Sequence, residues 1–193
     1  MTSNTPLAQS RSLRFAYADP PYPGMSHFYV DHPDYGGEVD HEELVERMTR
    51  DYDGWILHTA SSTLRQVLDC CPADVRIMAW TKPFASWKKG VYPAYAWEPV
   101  VMWGGRNDFG GRQTPPDFCA EGITLKRGLT GAKPERVCHW VFDCLGATPE
   151  DTMDDLYPGS GAVTRAWESY CAAPRLAFPI KDTTEPMFDT EAA

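Results

Sequence analysis

Short apolar runs that alternate with amphipathic stretches constrain this chain more than any other feature. Leu13–Ala18, Trp55–His58, Val75–Trp80, Pro99–Trp103 and Thr152–Leu156 are each four to six residues long and read as strands, with a last one at Leu176–Ile180. Runs that are apolar on both faces belong to strands covered on both sides. Between them the period changes to that of a helix. Leu44, Val45 and Met48 follow Asp40 and Glu43, a capping-box pair. Leu64, Val67 and Leu68 share one face over 62–70. Val137, Trp140, Val141 and Leu145 do so in a helix that opens at Pro134 and stops at Gly146. A last helix runs from the glycine turn at 159–161 to about Cys171. Alternation of this kind predicts an α/β fold with a mostly parallel sheet and helices on both faces.

The 193 residues suit one domain with a real core. Residues 1–12 read as a disordered N-terminus, 13–181 as the domain and 182–193 as a loose C-terminal tail. Three irregular stretches interrupt the pattern: a loop over 23–39, residues 81–95, and 104–132, with seven glycines and two prolines. No run is long enough for a membrane span, and Met1–Arg14 lacks the apolar core of a signal peptide, so a cytoplasmic protein is expected. Six cysteines without a C-x-x-C pair read as reduced thiols rather than a zinc site. No metal site is expected.

Charge is uneven. The chain carries −9 overall, yet residues 81–133 hold eight basic and four acidic side chains. That segment also contains Phe84, Trp87, Tyr92, Tyr95, Trp97, Trp103, Phe109 and Phe118. Cations interleaved with aromatics suit a surface that pairs with phosphates and stacks on bases, though a solvated face over core aromatics has the same composition. Lys88, Lys89, Arg106 and Arg112 are the candidate nucleic-acid contacts.

Two loops carry chemistry. Asp19-Pro20-Pro21-Tyr22 ends the first strand, because proline cannot donate to a ladder. The stiffened backbone leaves its carbonyls free to accept. A carboxylate and a fixed carbonyl can each accept one hydrogen of an exocyclic amine. Held out of the ring plane, those hydrogens favour a tetrahedral nitrogen with a lone pair free to attack. Tyr22 adds a ring that can stack on an extruded base. A plain Asp-Pro turn is the competing reading of the same residues. The second loop, Asp155-Leu156-Tyr157-Pro158-Gly159-Ser160-Gly161, joins a strand to a helix N-terminus, where backbone can approach a ligand closely. In parallel sheets ligands bind at the carboxyl ends of strands, where both loops leave.

Taken together, Tyr17-Ala18-Asp19-Pro20-Pro21-Tyr22, Trp97-Glu98-Pro99-Val100-Val101-Met102-Trp103, Lys133-Pro134-Glu135, and Asp155 to Gly161 with Ala166-Trp167 run in a family's order. The chain resembles the amino-methyltransferases with a D-P-P-[YFW] motif, in permuted order with the catalytic loop first. It is most similar to the adenine N(6)-methyltransferase branch that includes the messenger-RNA adenosine enzymes and their bacterial and phage relatives. The resemblance spans roughly Arg14 to Tyr170. It implies a Rossmann-like class I methyltransferase fold and S-adenosylmethionine as cofactor. It implies that Asp19 and the Pro20 carbonyl, with Pro21 and Tyr22, hold the target amine and base. Ala18, Asp19, Lys133, Asp155, Tyr157, Gly159 and Gly161 would border the cofactor.

His58 and Thr59 end a strand beside the catalytic one, and a satisfied strand-end histidine is the expectation for His58. Relatives often place an acidic residue after the strand that follows the glycine turn, which here points to Asp182. Residues 104–132 are the candidate recognition insertion, shorter than an ordinary recognition domain, so a homodimer or a specificity partner is expected to assist. The function implied is direct methyl transfer to adenine N(6) in DNA. Cytosine N(4), an RNA or free-nucleotide substrate, and a non-catalytic nucleic-acid-binding subunit stand as alternatives.

Overall fold

A computed structural model describes residues 11–30, 36–87, 89–107, 114–123 and 132–172. Among the described residues six strands and four helices follow in the order β1 Arg14–Ala18, α1 His41–Asp51, β2 Gly54–His58, α2 Leu64–Asp69, β3 Arg76–Ser86, β4 Tyr95–Gly104, β5 Phe118–Ala120, α3 Glu135–Cys144, β6 Thr152–Asp155 and α4 Ala162–Ala172. A single 3-10 turn, Ser26–Tyr29, interrupts the loop after β1. The strands form one sheet in the order β5-β3-β4-β2-β1-β6. β4 is antiparallel to both neighbours, and every other pairing is parallel. The expected mostly parallel α/β sheet is what forms.

Burial explains why these segments become strands and helices. Alternate strand residues face opposite sides, so each strand feeds two cores. Phe15, Tyr17, Ile56, Met78, Trp80 and Val100 pack with Val137, Val141, Phe142, Val163, Ala166 and Tyr170 of α3 and α4. Ala16, Ala18, Trp55, Leu57 and Val101 pack with Leu44, Val45, Met48 and Val67 of α1 and α2. The helices therefore cover both faces. Asp40 caps α1: its side chain accepts from the Glu43 N–H at 3.0 Å.

Two expectations need correction. Residues 81–86, read as irregular, continue β3, and β4 begins at Tyr95 rather than Pro99. The register shifts between Thr81 and Ser86, so the ladder there lacks the clean alternation a sequence pattern needs. The stretch 104–132 is not wholly irregular either, since Phe118–Ala120 pairs with β3. Its remaining uncharted parts, the strand expected at 176–180 and both terminal tails as far as residue 10 and from residue 173 lie outside the described residues.

Candidate active site

β1, β2 and β6 run parallel, so their carboxyl ends meet along one edge of the sheet. A hydrogen bond from the Leu156 N–H to the Tyr17 carbonyl, 2.9 Å, extends the β1–β6 pairing to the lip of that edge. Asp19 and Asp155 therefore leave from adjacent strands. Ala18 is the fully buried last residue of β1, and Pro20 is also buried. Asp19 keeps 23% of its side chain exposed, enough to meet a ligand.

Lys133 stands immediately before α3 and brings its ammonium to this edge. It lies 3.0 Å from Asp19 Oδ2 and 2.8 Å from Glu98 Oε1, with 7% of its side chain exposed. Glu98 projects from β4 and also binds His58 Nδ1 at 2.8 Å and Lys82 Nζ at 3.3 Å. The other ring nitrogen of His58, Nε2, is 2.8 Å from the Tyr17 hydroxyl. Because the carboxylate only accepts, Nδ1 carries the proton and Nε2 accepts from Tyr17. The result is a buried chain of polar groups: Tyr17, His58, Glu98, Lys133 and Asp19.

With Lys82 on Glu98 the cluster sets two ammonium groups against two carboxylates, so its charges balance, as a buried cluster requires. Burial opposes ionisation of Glu98, but Lys133 and the hydrogen bond from His58 outweigh it and hold the carboxyl well below its usual range. Burial likewise opposes the Lys133 charge, and Asp19, Tyr22 and Glu98 together keep it firmly protonated. Burial drives the Tyr22 phenol well above its ordinary value, with Lys133 pulling the other way. Tyr22 therefore stands close enough to Lys133, Asp19 and Glu98 to feel all three charges. Asp19, His58 and Glu98 are near enough to share a metal ion. The Lys133 ammonium already bridges Asp19 and Glu98, so a cation there would have to displace it.

The second half of the site is unsatisfied. Both carboxylate oxygens of Asp155 are buried without a hydrogen-bond partner. Burial first, then the nearby Asp19 charge, raise its pKa to about 6. The Tyr157 N–H and the Thr164 hydroxyl stand near enough to draw the carboxyl down against burial, but neither closes a hydrogen bond, so the two oxygens suit a ligand that brings donors. Beyond it the chain turns through Pro158, whose carbonyl accepts from Gly161, into the N-terminus of α4. Gly159 and Gly161 have φ of 43° and 69°, the left-handed region that glycine enters without a steric penalty. Tyr157 is half-buried beside this turn, packed against the α1–α2 core.

The nucleic-acid candidates divide. Lys89 is exposed at the tip of the β3–β4 hairpin. Lys88 and Arg112 lie outside the described residues, as does Asp182. Arg106 is a correction. It follows β4, whose carboxyl end meets the amino end of β2, so it sits at the opposite edge of the sheet. There its guanidinium clasps Asp151 at 2.7 and 2.9 Å with only 10% of the side chain exposed. Arg106 is a structural clamp, drawn to a buried carboxylate that a count of positive charge could not foresee. His58 is the satisfied strand-end histidine expected, bonded through both ring nitrogens, whereas Glu98 and Lys82 form the missed part of the site. The signal was a glutamate inside an otherwise apolar strand, since a buried charge demands partners.

No family model matches the chain, and no curated protein matches it. Among solved structures it is similar to the complex of M1.HpyAVI with SAM, at 13% identity and a TM-score of 0.55, over 82% of this chain and 79% of that one. A second structure of M1.HpyAVI matches at 12% identity and a TM-score of 0.53, over 82% and 77%. The likeness establishes the fold, a Rossmann-like methyltransferase fold.

Proposed function

We propose that this chain, with a fold it shares with M1.HpyAVI, is an S-adenosylmethionine-dependent methyltransferase acting on adenine N(6) in DNA. The observation that carries the reading is the pairing of Asp19, partly open at the end of β1, with the unsatisfied Asp155 carboxylate at the end of the adjacent β6. One is suited to a substrate amine and the other to a cofactor rich in donors. The complex of M1.HpyAVI with SAM supports the choice of cofactor. In this reading the motif order is permuted, since the Asp19 loop precedes the glycine turn.

Asp155, Tyr157, Gly159, Gly161, Ala18 and Lys133 hold the cofactor, which supplies an electrophilic methyl group. Asp19 accepts one hydrogen of the N(6) amine through the oxygen that Lys133 leaves open, and the Pro20 carbonyl accepts the other. The amine is thereby turned so that its lone pair points away from the ring system. Lys133 fixes the Asp19 rotamer, and Glu98 fixes Lys133. Tyr22 and Pro21 bound the base. The reaction forms an N–C bond, breaks the S–C bond, and releases one amine proton.

Nucleoside mass spectrometry tests this directly. Unmethylated DNA incubated with the protein and labelled S-adenosylmethionine should yield labelled N(6)-methyladenine, and Asp19→Ala should abolish it with the fold intact. Turnover like wild type in that variant would overturn the mechanism. Labelled N(4)-methylcytosine would keep the mechanism and change the base.

A further inference from the structure

The β3–β4 hairpin reaches past β1 and β2 on the side of the candidate active site, and past β5 with the last residues of β3. β1 ends at Ala18, which aligns through Leu57 with Val101 of β4. Beyond that level β4 still contains Tyr95 to Val100, and β3 continues through Ser86. At about 3.3 Å per residue, the hairpin overhangs β1 by roughly 20 Å. It is also continuous with the site, because Glu98 and Lys82 lie on its two strands at its base.

This arm displays large apolar side chains to solvent. Trp87 is 83% and Tyr92 90% exposed, with Phe84 and Trp97 also exposed. Exposed rings of that size cost solvation, so a cluster of them marks a binding face. The charge around them is selective. Residues 81–97 contain Lys82, Lys88 and Lys89 and no acidic residue, in a chain of net −9, and Lys82 is already engaged by Glu98. A polyanion is therefore tolerated here and disfavoured over most of the remaining surface.

Magnitudes choose between kinds of polyanion. Duplex DNA is held chiefly through phosphates neutralised by Lys and Arg, and this arm has few of either. Stacking a base on an aromatic ring contributes about 1–3 kcal/mol and needs no cation, but it requires unpaired bases. We propose that the β3–β4 arm is a stacking platform for single-stranded DNA beside the target base, with Trp87 and Tyr92 as its principal rings and Lys89 as a phosphate contact. The proposal rests on the nucleic-acid reading above, which it narrows to an unpaired strand.

The test is fluorescence anisotropy with a short labelled single-stranded oligodeoxynucleotide and its duplex, over a range of salt. Wild type should favour the single strand, with a shallow log–log salt slope of about −1, as expected for one or two phosphate contacts. Trp87→Ala and Tyr92→Ala should each weaken that binding on the order of tenfold, while S-adenosylmethionine binding is unchanged. A preference for duplex with a steep slope, no loss in the variants, or variants that only change the oligomeric state would overturn the proposal. Methyl transfer is measured in parallel. Arm-dependent binding without transfer would sink the enzymatic reading and leave the platform standing. Transfer with arm variants that bind like wild type would do the reverse.

Discussion

Asp155 is the residue whose chemistry is most exposed to test. Its carboxyl is raised to about 6 because burial and the Asp19 charge both disfavour ionisation. A raised carboxylate contributes stability that is fully present below its unfolded value, near 4, and is lost as pH rises through about 6. The ligand-free protein should therefore lose that increment between about pH 4 and 6, and Asp155→Asn should not. A cofactor bringing donors favours the ionised form and inverts the preference. Its affinity should climb with pH up to about 6, by as much as about tenfold per unit, and then level off. Denaturant unfolding across pH checks the first half and titration calorimetry the second, each in wild type and Asp155→Asn, and a pH-independent wild-type affinity would remove Asp155 from the cofactor site. Glu98 works oppositely. Held ionised by Lys133 and His58, it anchors the cluster through neutral pH and fails only as acid protonates it.

Elements position these residues through their ends. β1 is five residues long because two prolines follow Asp19 at once, and that abrupt stop is what delivers Asp19 to the sheet edge. α3 begins after Pro134, so Lys133 is held in a fixed stem rather than on a free loop. On the other face, α1 is set by its cap. Asp40 accepts from the Glu43 N–H, and the helix then buries His41, Leu44, Val45 and Met48. Asp40→Ala should cost about 1 kcal/mol of stability, read from denaturant unfolding, with little effect on cofactor affinity. A loss of cofactor binding as large as the loss of stability would show that α1 couples to the site.

At the scale of the molecule, the two edges of the sheet hold separate charge networks with separate tasks. The carboxyl edge carries the chain from Tyr17 to Asp19. The opposite edge carries Asp151, which is 5% exposed and accepts from the Leu13 and Thr148 N–H groups, the Thr148 hydroxyl and Arg106. That network joins the starts of β1 and β6 to the end of β4. Arg106→Ala should cost about 3–5 kcal/mol by leaving a buried carboxylate unpaired. It should leave the salt slope of DNA binding unchanged, and a flattened slope would return Arg106 to the binding surface.

How much of this was legible in the chain itself follows the range of the forces involved. Local forces wrote the alternation of strands and helices, the proline stop after Asp19, the Asp40 cap and the glycine turn at 159–161. Each depends on residues a few positions apart, so the α/β class and both chemical loops could be read directly. The β3–β4 arm was not legible, because a register shift at Thr81–Ser86 breaks the period-two pattern and its rings look like core residues until their exposure is known. The polar cluster joins residues 17, 19, 58, 82, 98 and 133, which no local rule connects. Only the sheet order, with β4 beside β2 and β2 beside β1, brings Glu98 between His58 and Lys133. The same long-range packing assigned Arg106 to Asp151. Sequence by itself determined which groups could do chemistry. Tertiary structure decided which of them share a dielectric and a hydrogen bond, because the partner of a buried charge is chosen by space and not by sequence distance.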